Sequence, residues 1–210
     1  MSLFLGKIHY WLYNKIIWYE KIEKDIIQWA LKKELPIGTW VQDINEKHGP
    51  PLGSEPLEEL IDTSNIHGWL QERIECAELR QAALVTQVLN RNTDYKTDLI
   101  NIYKNQGKAA AGDYQGDAST PEDIFNALND YILEGMPCDR VNEIVSSGDN
   151  EYVWKSTTCL HTQYWRKVEG NVINFYELRE AWVKAFVEEL NPVFTYTRLA
   201  EKNIHKIFRK

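Results

Sequence analysis

Apolar residues recur at helical spacing through roughly the first 135 positions and at alternating spacing thereafter. From Ile8, the positions Leu12, Ile16, Tyr19, Ile22, Ile26 and Trp29 fall three and four apart, which predicts one long helix over 7–33. Glu20 and Lys24 add a favourable i,i+4 pair, and Pro36 and Gly38 end the run. At 1.5 Å per residue such a helix is about 40 Å long, enough for one end to project and build a subunit contact. Residues 36–56 contain Gly49-Pro50-Pro51-Leu52-Gly53 and Pro56, and read as an irregular surface loop or lid tied down by Trp40 and Val41. A short helix is expected at 56–62. Asp62-Thr63-Ser64-Asn65 then offers N-cap candidates for a helix over 66–88, whose apolar side is Ile66, Leu70, Ile74, Ala77, Ala82, Val85 and Val88. Another helix is expected at 93–106. The glycines and aspartates of 107–119 read as a mobile loop. Thr120-Pro121-Glu122-Asp123 opens a further helix, with a cap, a proline at the first position and acids in the first turn.

After Gly135-Met136-Pro137 the period becomes two. Residues 140–146 and 151–160 flank Ser147-Gly148-Asp149-Asn150 as a hairpin, with Tyr152, Trp154, Ser156 and Thr158 on one face and Val153, Lys155, Thr157 and Cys159 on the other. A helix at 175–190 and a second hairpin, 193–199 with 204–208, complete the pattern. The expected fold is α+β: a mostly helical N-terminal two thirds packed against a small C-terminal antiparallel sheet of about four strands. It is read as a single domain over 1–210, helical over 1–135 and sheet-containing over 136–210.

Composition narrows the function classes. Hydrophobic residues at 43% and charged residues at 26% are those of an ordinary globular chain, with eight Trp and eleven Tyr supplying amphipathic surface for cores, pockets and interfaces. The net charge of −7 gives no general attraction for phosphate backbones, and the basic tail Lys202, Lys206, Arg209, Lys210 reads as a solvated strand face, so no nucleic-acid partner is expected. No run approaches 18 apolar residues, so no membrane partner is expected either. Met1-Ser2-Leu3-Phe4-Leu5-Gly6-Lys7 is too short an apolar run for a signal peptide, and Cys76, Cys138 and Cys159 have no short paired spacing. Free thiols in a reducing cytoplasm are the expected state.

Phosphate-loop, dinucleotide, nucleophile-elbow, zinc-protease and calcium-loop motifs are all absent. The chemistry-bearing cluster is Cys159-Leu160-His161 at the end of the best-defined strand. A thiolate needs a neighbouring base or positive charge, and histidine is the usual one. Cys159 as nucleophile and His161 as base form the candidate catalytic pair, or jointly a soft-metal site. Trp154, Tyr164, Glu177 and Glu180 are the candidate substrate-binding side chains, with Arg179 beside them. His48 and His205 have no local partner in sequence.

One internal echo suggests a metal alternative. Ile8-His9-Tyr10-Trp11-Leu12 is repeated as Ile66-His67-Gly68-Trp69-Leu70, and the register continues through Ile16 with Ile74 and Glu20 with Glu78. Histidine and glutamate eleven residues apart on one helix are about 16 Å apart and cannot share an ion. If the two helices packed antiparallel, His9 would approach Glu78 and His67 would approach Glu20, giving two metal sites or two polar clasps. The Glu-x-x-His motif of helical carboxylate metal bundles is absent.

Residues 135–210 carry a further pattern: Thr158-Cys159-Leu160 at a strand end, Tyr176-Glu177-Leu178 in a helix, then Leu190-Asn191-Pro192-Val193-Phe194-Thr195-Tyr196-Thr197-Arg198 leading into a closing hairpin. This resembles the L-2-amino-thiazoline-4-carboxylic acid hydrolases and their relatives. The resemblance implies the α+β sheet region and Cys159 as the one functional residue carried over. The further cysteines of that family are replaced here by Leu178-Arg179-Glu180-Ala181-Trp182 and Ile204-His205-Lys206, so the likeness implies fold more than activity. The expected function is a cytoplasmic, hydrolase-like small-molecule enzyme with a Cys/His site. The alternatives are a ligand- or metal-binding sensor module without catalysis, and a structural homo-oligomer built by the first helix. No cofactor is identified by the sequence.

Overall fold

The computed structural model describes residues 5–53 and 55–210, so Met1–Phe4 of the N-terminal apolar run lie outside the described residues. The elements are, in order, α1 (Lys7–Lys32), α2 (Ile37–His48), α3 (Leu57–Leu60), α4 (Ile66–Arg91), α5 (Lys96–Asp113), α6 (Pro121–Asn129), β1 (Asn142–Ser147), β2 (Glu151–Ser156), α7 (Thr162–Lys167), α8 (Val172–Leu190), β3 (Phe194–Leu199) and β4 (Ile204–Arg209). The chain is α+β, helical first and closing with a four-stranded antiparallel sheet. No helix among the described residues is long and apolar enough to cross a membrane. Two compact units are distinguishable: Met1–Tyr95 with His161–Asn171, and Lys96–Leu160 with Val172–Lys210. Helices α5, α6 and α8 therefore belong with the sheet.

In the first unit, α1 and α4 pack along their apolar stripes: Leu12, Ile16, Tyr19 and Ile26 are buried on one helix, and Leu70, Ile74, Ala77 and Val85 on the other. The Asn65 side chain accepts a hydrogen bond from the Gly68 N–H at 3.2 Å and caps α4. The two helices run parallel. The rings of His9 and His67 are 5.6 Å apart, Tyr19 meets Glu78, and Glu20 and Glu23 meet Arg80, so contacts advance together along both helices.

The segment 36–56 departs from expectation because α2 occupies its first half. Ile37, Trp40, Val41 and Ile44 have helical spacing, but only Ile37 and Ile44 are buried, so the apolar stripe is too narrow to stand out beside the Gly/Pro cluster. That cluster ends α2 at Gly49, whose φ of +80° suits glycine. Arg80 holds the chain beyond it. Its guanidinium, 1% exposed, bonds Glu20 and Glu23 and donates to the Gly49 and Pro50 carbonyls at 3.3 and 3.1 Å, while Glu20 accepts from the Leu52 N–H at 3.1 Å. Burial pushes both carboxyls above their ordinary range, and Arg80 pulls against that shift.

In the second unit, α5 continues to Asp113 where a mobile loop was expected. Gly107 does not break the helix, because it is the place where α5 and α8 touch. A Cβ there would sit 2.5 Å from the Trp182 carbonyl oxygen. The Trp182 indole N–H donates to Gln106 one residue away. Thr120 caps α6 by accepting from the Asp123 N–H at 3.1 Å, with the Asp123 carboxylate accepting from the Thr120 N–H in return. The strand order is β1-β2-β4-β3, with Asn142 opposite Ser156, Trp154 opposite His205 and Tyr196 opposite Ile207. A bulge interrupts β1 between Ile144 and Ser146. Tyr152, Trp154, Phe194, Tyr196 and Ile207 form the buried sheet face, and Phe125 of α6 packs its ring on Tyr152 and Trp154.

β2 stops at Ser156 instead of running to Leu160. There the Ser156 N–H turns to the Asn203 carbonyl and the Thr157 N–H to the Val141 carbonyl, and a short helix, α7, follows from Thr162. Cys159 and His161 consequently share no strand face.

Candidate functional site

Strand alternation puts Asn142, Ser156, His205 and Tyr196 on the helix-facing side of β1, β2, β4 and β3, and their side chains join across the sheet. Tyr196 Oη lies 2.6 Å from His205 Nδ1, His205 Nε2 lies 3.2 Å from Ser156 Oγ, and Ser156 Oγ lies 3.1 Å from Asn142 Oδ1. The Trp154 indole stacks on the imidazole at 5.2 Å and 10°, as expected of a directly opposed pair.

These side chains line a cavity of about 40 Å³ between the sheet, α6 and α8. Apolar walls come from Phe125, Leu128 and Val183. The charged end is Arg179 of α8, which donates to Glu134 at 2.9 Å and to the Leu133 carbonyl at 3.1 Å. Arg198 lies with its guanidinium 4.0 Å from the Tyr176 ring centroid, and its buried Nε has no hydrogen-bond partner.

Burial, reinforced by Arg198 and Arg179 and opposed by Glu134, lowers the His205 pKa to about 4. Burial likewise raises the Tyr196 hydroxyl strongly, with Glu180 adding to the shift. The imidazole is therefore neutral at pH 7 and the phenol protonated. A neutral imidazole donates from one nitrogen and accepts at the other, so the network allows two proton arrangements. In one, Tyr196 donates to Nδ1, Nε2–H donates to Ser156, and Ser156 donates to Asn142. In the other, Ser156 O–H donates to Nε2 and Nδ1–H to the tyrosine oxygen. This second arrangement leaves a serine hydroxyl on an unprotonated imidazole nitrogen, the geometry of general-base activation.

Of the residues singled out in sequence, Trp154 and Arg179 line this cavity. Cys159 is exposed and in no disulfide, in the same unit, and its hydrogen bond helps raise the Tyr176 hydroxyl, after the larger effect of burial. Glu177 pairs with Lys96 at the surface. His161 lies in the first unit, 3% exposed, with Nδ1 3.0 Å from Glu78 Oε1, while Tyr19 donates to the other Glu78 oxygen at 3.0 Å. Tyr164 is buried in that unit as well.

The metal pairing does not form, because α1 and α4 are parallel. His9 faces His67 and accepts from the Gly6 N–H at 2.9 Å, while Glu20 is held by Arg80 and Glu78 by Tyr19. No group of three or more His, Cys, Asp or Glu suited to a metal ion exists among the described residues.

Ser156, Asn142, His205, Tyr196 and Glu134 were missed in sequence as site residues. His205 lacked a partner only because its partners come from β2 and β3. Its alternation with Ile207 places it on the core face, an unusual place for an imidazole, and that was the available signal. Neither a family model, nor a curated protein, nor a solved structure matches the chain.

Proposed function

We propose that the chain is a small-molecule-binding protein of hydrolase-like kind, with its ligand seated in the second-unit cavity against Ser156, His205, Trp154 and Arg179. One observation carries this reading: a neutral imidazole, bonded on both nitrogens, ends its chain at a cavity whose far side is a half-buried ion pair. Burying hydroxyls, an imidazole and a guanidinium costs stability that an apolar sheet face would not forfeit. Convergent polar groups with a perturbed pKa in an apolar-walled cavity support a binding site for a very small ligand. The resemblance of residues 135–210 to the L-2-amino-thiazoline-4-carboxylic acid hydrolases favours a small-molecule enzyme using this stretch of the chain, with Cys159 beside Tyr176 as its second reactive group. Three cysteines joined in no disulfide favour a reducing cytoplasm as its place of work.

The test is a titration with acetamide and acetohydroxamate, small carbonyl compounds whose acyl end can enter the cavity of about 40 Å³, followed by NMR. The Trp154 indole N–H, assigned with Trp154→Phe, and the His205 ring resonances shift together and saturate. Saturable shifts elsewhere with none at Trp154 and His205 remove the reading.

A further inference from the structure

The ligand reading leaves the chemistry open, and the geometry narrows it. We infer that Ser156 is an acyl-accepting nucleophile, with His205 as its base and Arg179 as the group that stabilises the developing oxyanion. The inference rests on the cavity being the ligand site.

Three features support these roles. Ser156 Oγ is 3.2 Å from His205 Nε2, within reach for proton transfer. The other ring nitrogen is held at 2.6 Å by the Tyr196 hydroxyl, which fixes the ring as the carboxylate of a catalytic triad does. The Arg179 guanidinium lines the same cavity and is anchored by Glu134, the Leu133 carbonyl and the Phe175 ring, 4.9 Å from its centroid. A fixed cation beside the reacting carbonyl stabilises charge that appears only in the transition state.

The groups facing the imidazole from the surrounding elements are Tyr196 and Arg198 of β3, Ser156 and Trp154 of β2, Arg179 of α8, and Glu134 after α6. They supply one carboxylate against two guanidinium groups, so the ring stays neutral throughout the neutral range, with Nε2 open to the serine proton in the second arrangement.

The step balances without a cofactor. Ser156 Oγ bonds to the carbonyl carbon of an ester or thioester as its proton passes to Nε2. The carbon–leaving-group bond then breaks, and the leaving alkoxide or thiolate takes that proton. Water, deprotonated by the same nitrogen, cleaves the acyl-serine and returns the hydroxyl. The size of the cavity sets the substrate class. With about 10–15 Å³ of such space needed for one water, the cavity admits an acyl head of about three heavy atoms, with the leaving group directed outward.

The experiment uses the full chain and an ethyl fluorophosphonate, whose phosphorus accepts the serine oxygen as fluoride leaves. The expected result is one phosphonyl group on Ser156 by peptide mass mapping, at a rate unchanged between pH 6 and 9. Ser156→Ala takes up none, and His205→Gln labels about 100-fold more slowly. Tyr196, a positioning residue, is tested by Tyr196→Phe: labelling slows, and the ¹⁵N shifts of His205 report a changed tautomer ratio. No adduct on Ser156 in folded wild-type protein overturns the inference, and so does equal labelling in folded His205→Gln. If acetamide still binds at Trp154 while Ser156 stays unlabelled, the nucleophile fails and the ligand site stands. If neither occurs, both fail.

Discussion

Tyr196 Oη and His205 Nδ1 lie 2.6 Å apart on β3 and β4, the shortest link in a line of side chains that crosses all four strands. Because the ring is buried, its proton affinity falls to a pKa of about 4 from an ordinary 6.5. Between those values the unfolded chain binds the proton and the folded one does not. The stabilisation is complete above pH 6.5 and is lost as pH falls toward 4, by about 3 kcal/mol in all. Urea unfolding of wild type at pH 7, 5.5 and 4.5 should show that decline, and His205→Gln should lose this component of it. Equal pH slopes in the two proteins would count against a buried neutral ring.

Arg80 answers two buried carboxylates and two loop carbonyls at once. Arg80→Met leaves Glu20 and Glu23 buried without their cation, at a cost of about 3–5 kcal/mol. The Leu52 amide, which donates to Glu20, should then exchange with deuterium much faster. Both effects are measurable in one hydrogen-exchange series. Unchanged protection at Leu52 would mean that the 49–52 segment is held by something else.

Gly107 permits the closest approach of α5 to α8. Alanine there puts a methyl group 2.5 Å from a backbone oxygen, and the helices must separate to admit it. Overpacking of this kind costs about 1–3 kcal/mol, although alanine is the better helix former. Gly112, which has open space around it, is the control: Gly112→Ala should stabilise. Thermal melts of the two variants should move in opposite directions.

Much of the architecture is legible in sequence because each element announces itself locally. The spacing of Leu12, Ile16 and Ile26, the Thr120-Pro121 cap and the turn at Gly148 identify their elements without tertiary information. What fails is set by contacts distant in sequence. Gly107 reads as a breaker until Trp182 is beside it. The Ile37–Ile44 stripe is faint because only two residues are buried. Cys159 and His161 look like partners while β2 is thought to reach Leu160; ending it at Ser156 assigns the thiol to Tyr176 and the imidazole to Glu78. The Ser156–His205–Tyr196 line could not be seen from one strand, since strand order determines it.

The three thiols separate by exposure. Cys159 and Cys138 are exposed, whereas Cys76 is half-buried and its thiol pKa is pushed up by burial. Iodoacetamide at pH 7.5 should modify Cys138 and Cys159 well before Cys76, read by peptide mass. Cys76 reacting first would contradict the packing of α4 against the 49–50 turn, where the Cys76 sulfur lies.

Binding and chemistry in the cavity both depend on the protonation state of one ring. ¹⁵N-edited NMR of histidine-labelled protein, with His205 identified by its loss in His205→Gln, measures that state directly. One protonated and one bare ring nitrogen at pH 7, with a midpoint near 4, is the result expected. A His205 midpoint at 6.5 or above would contradict it.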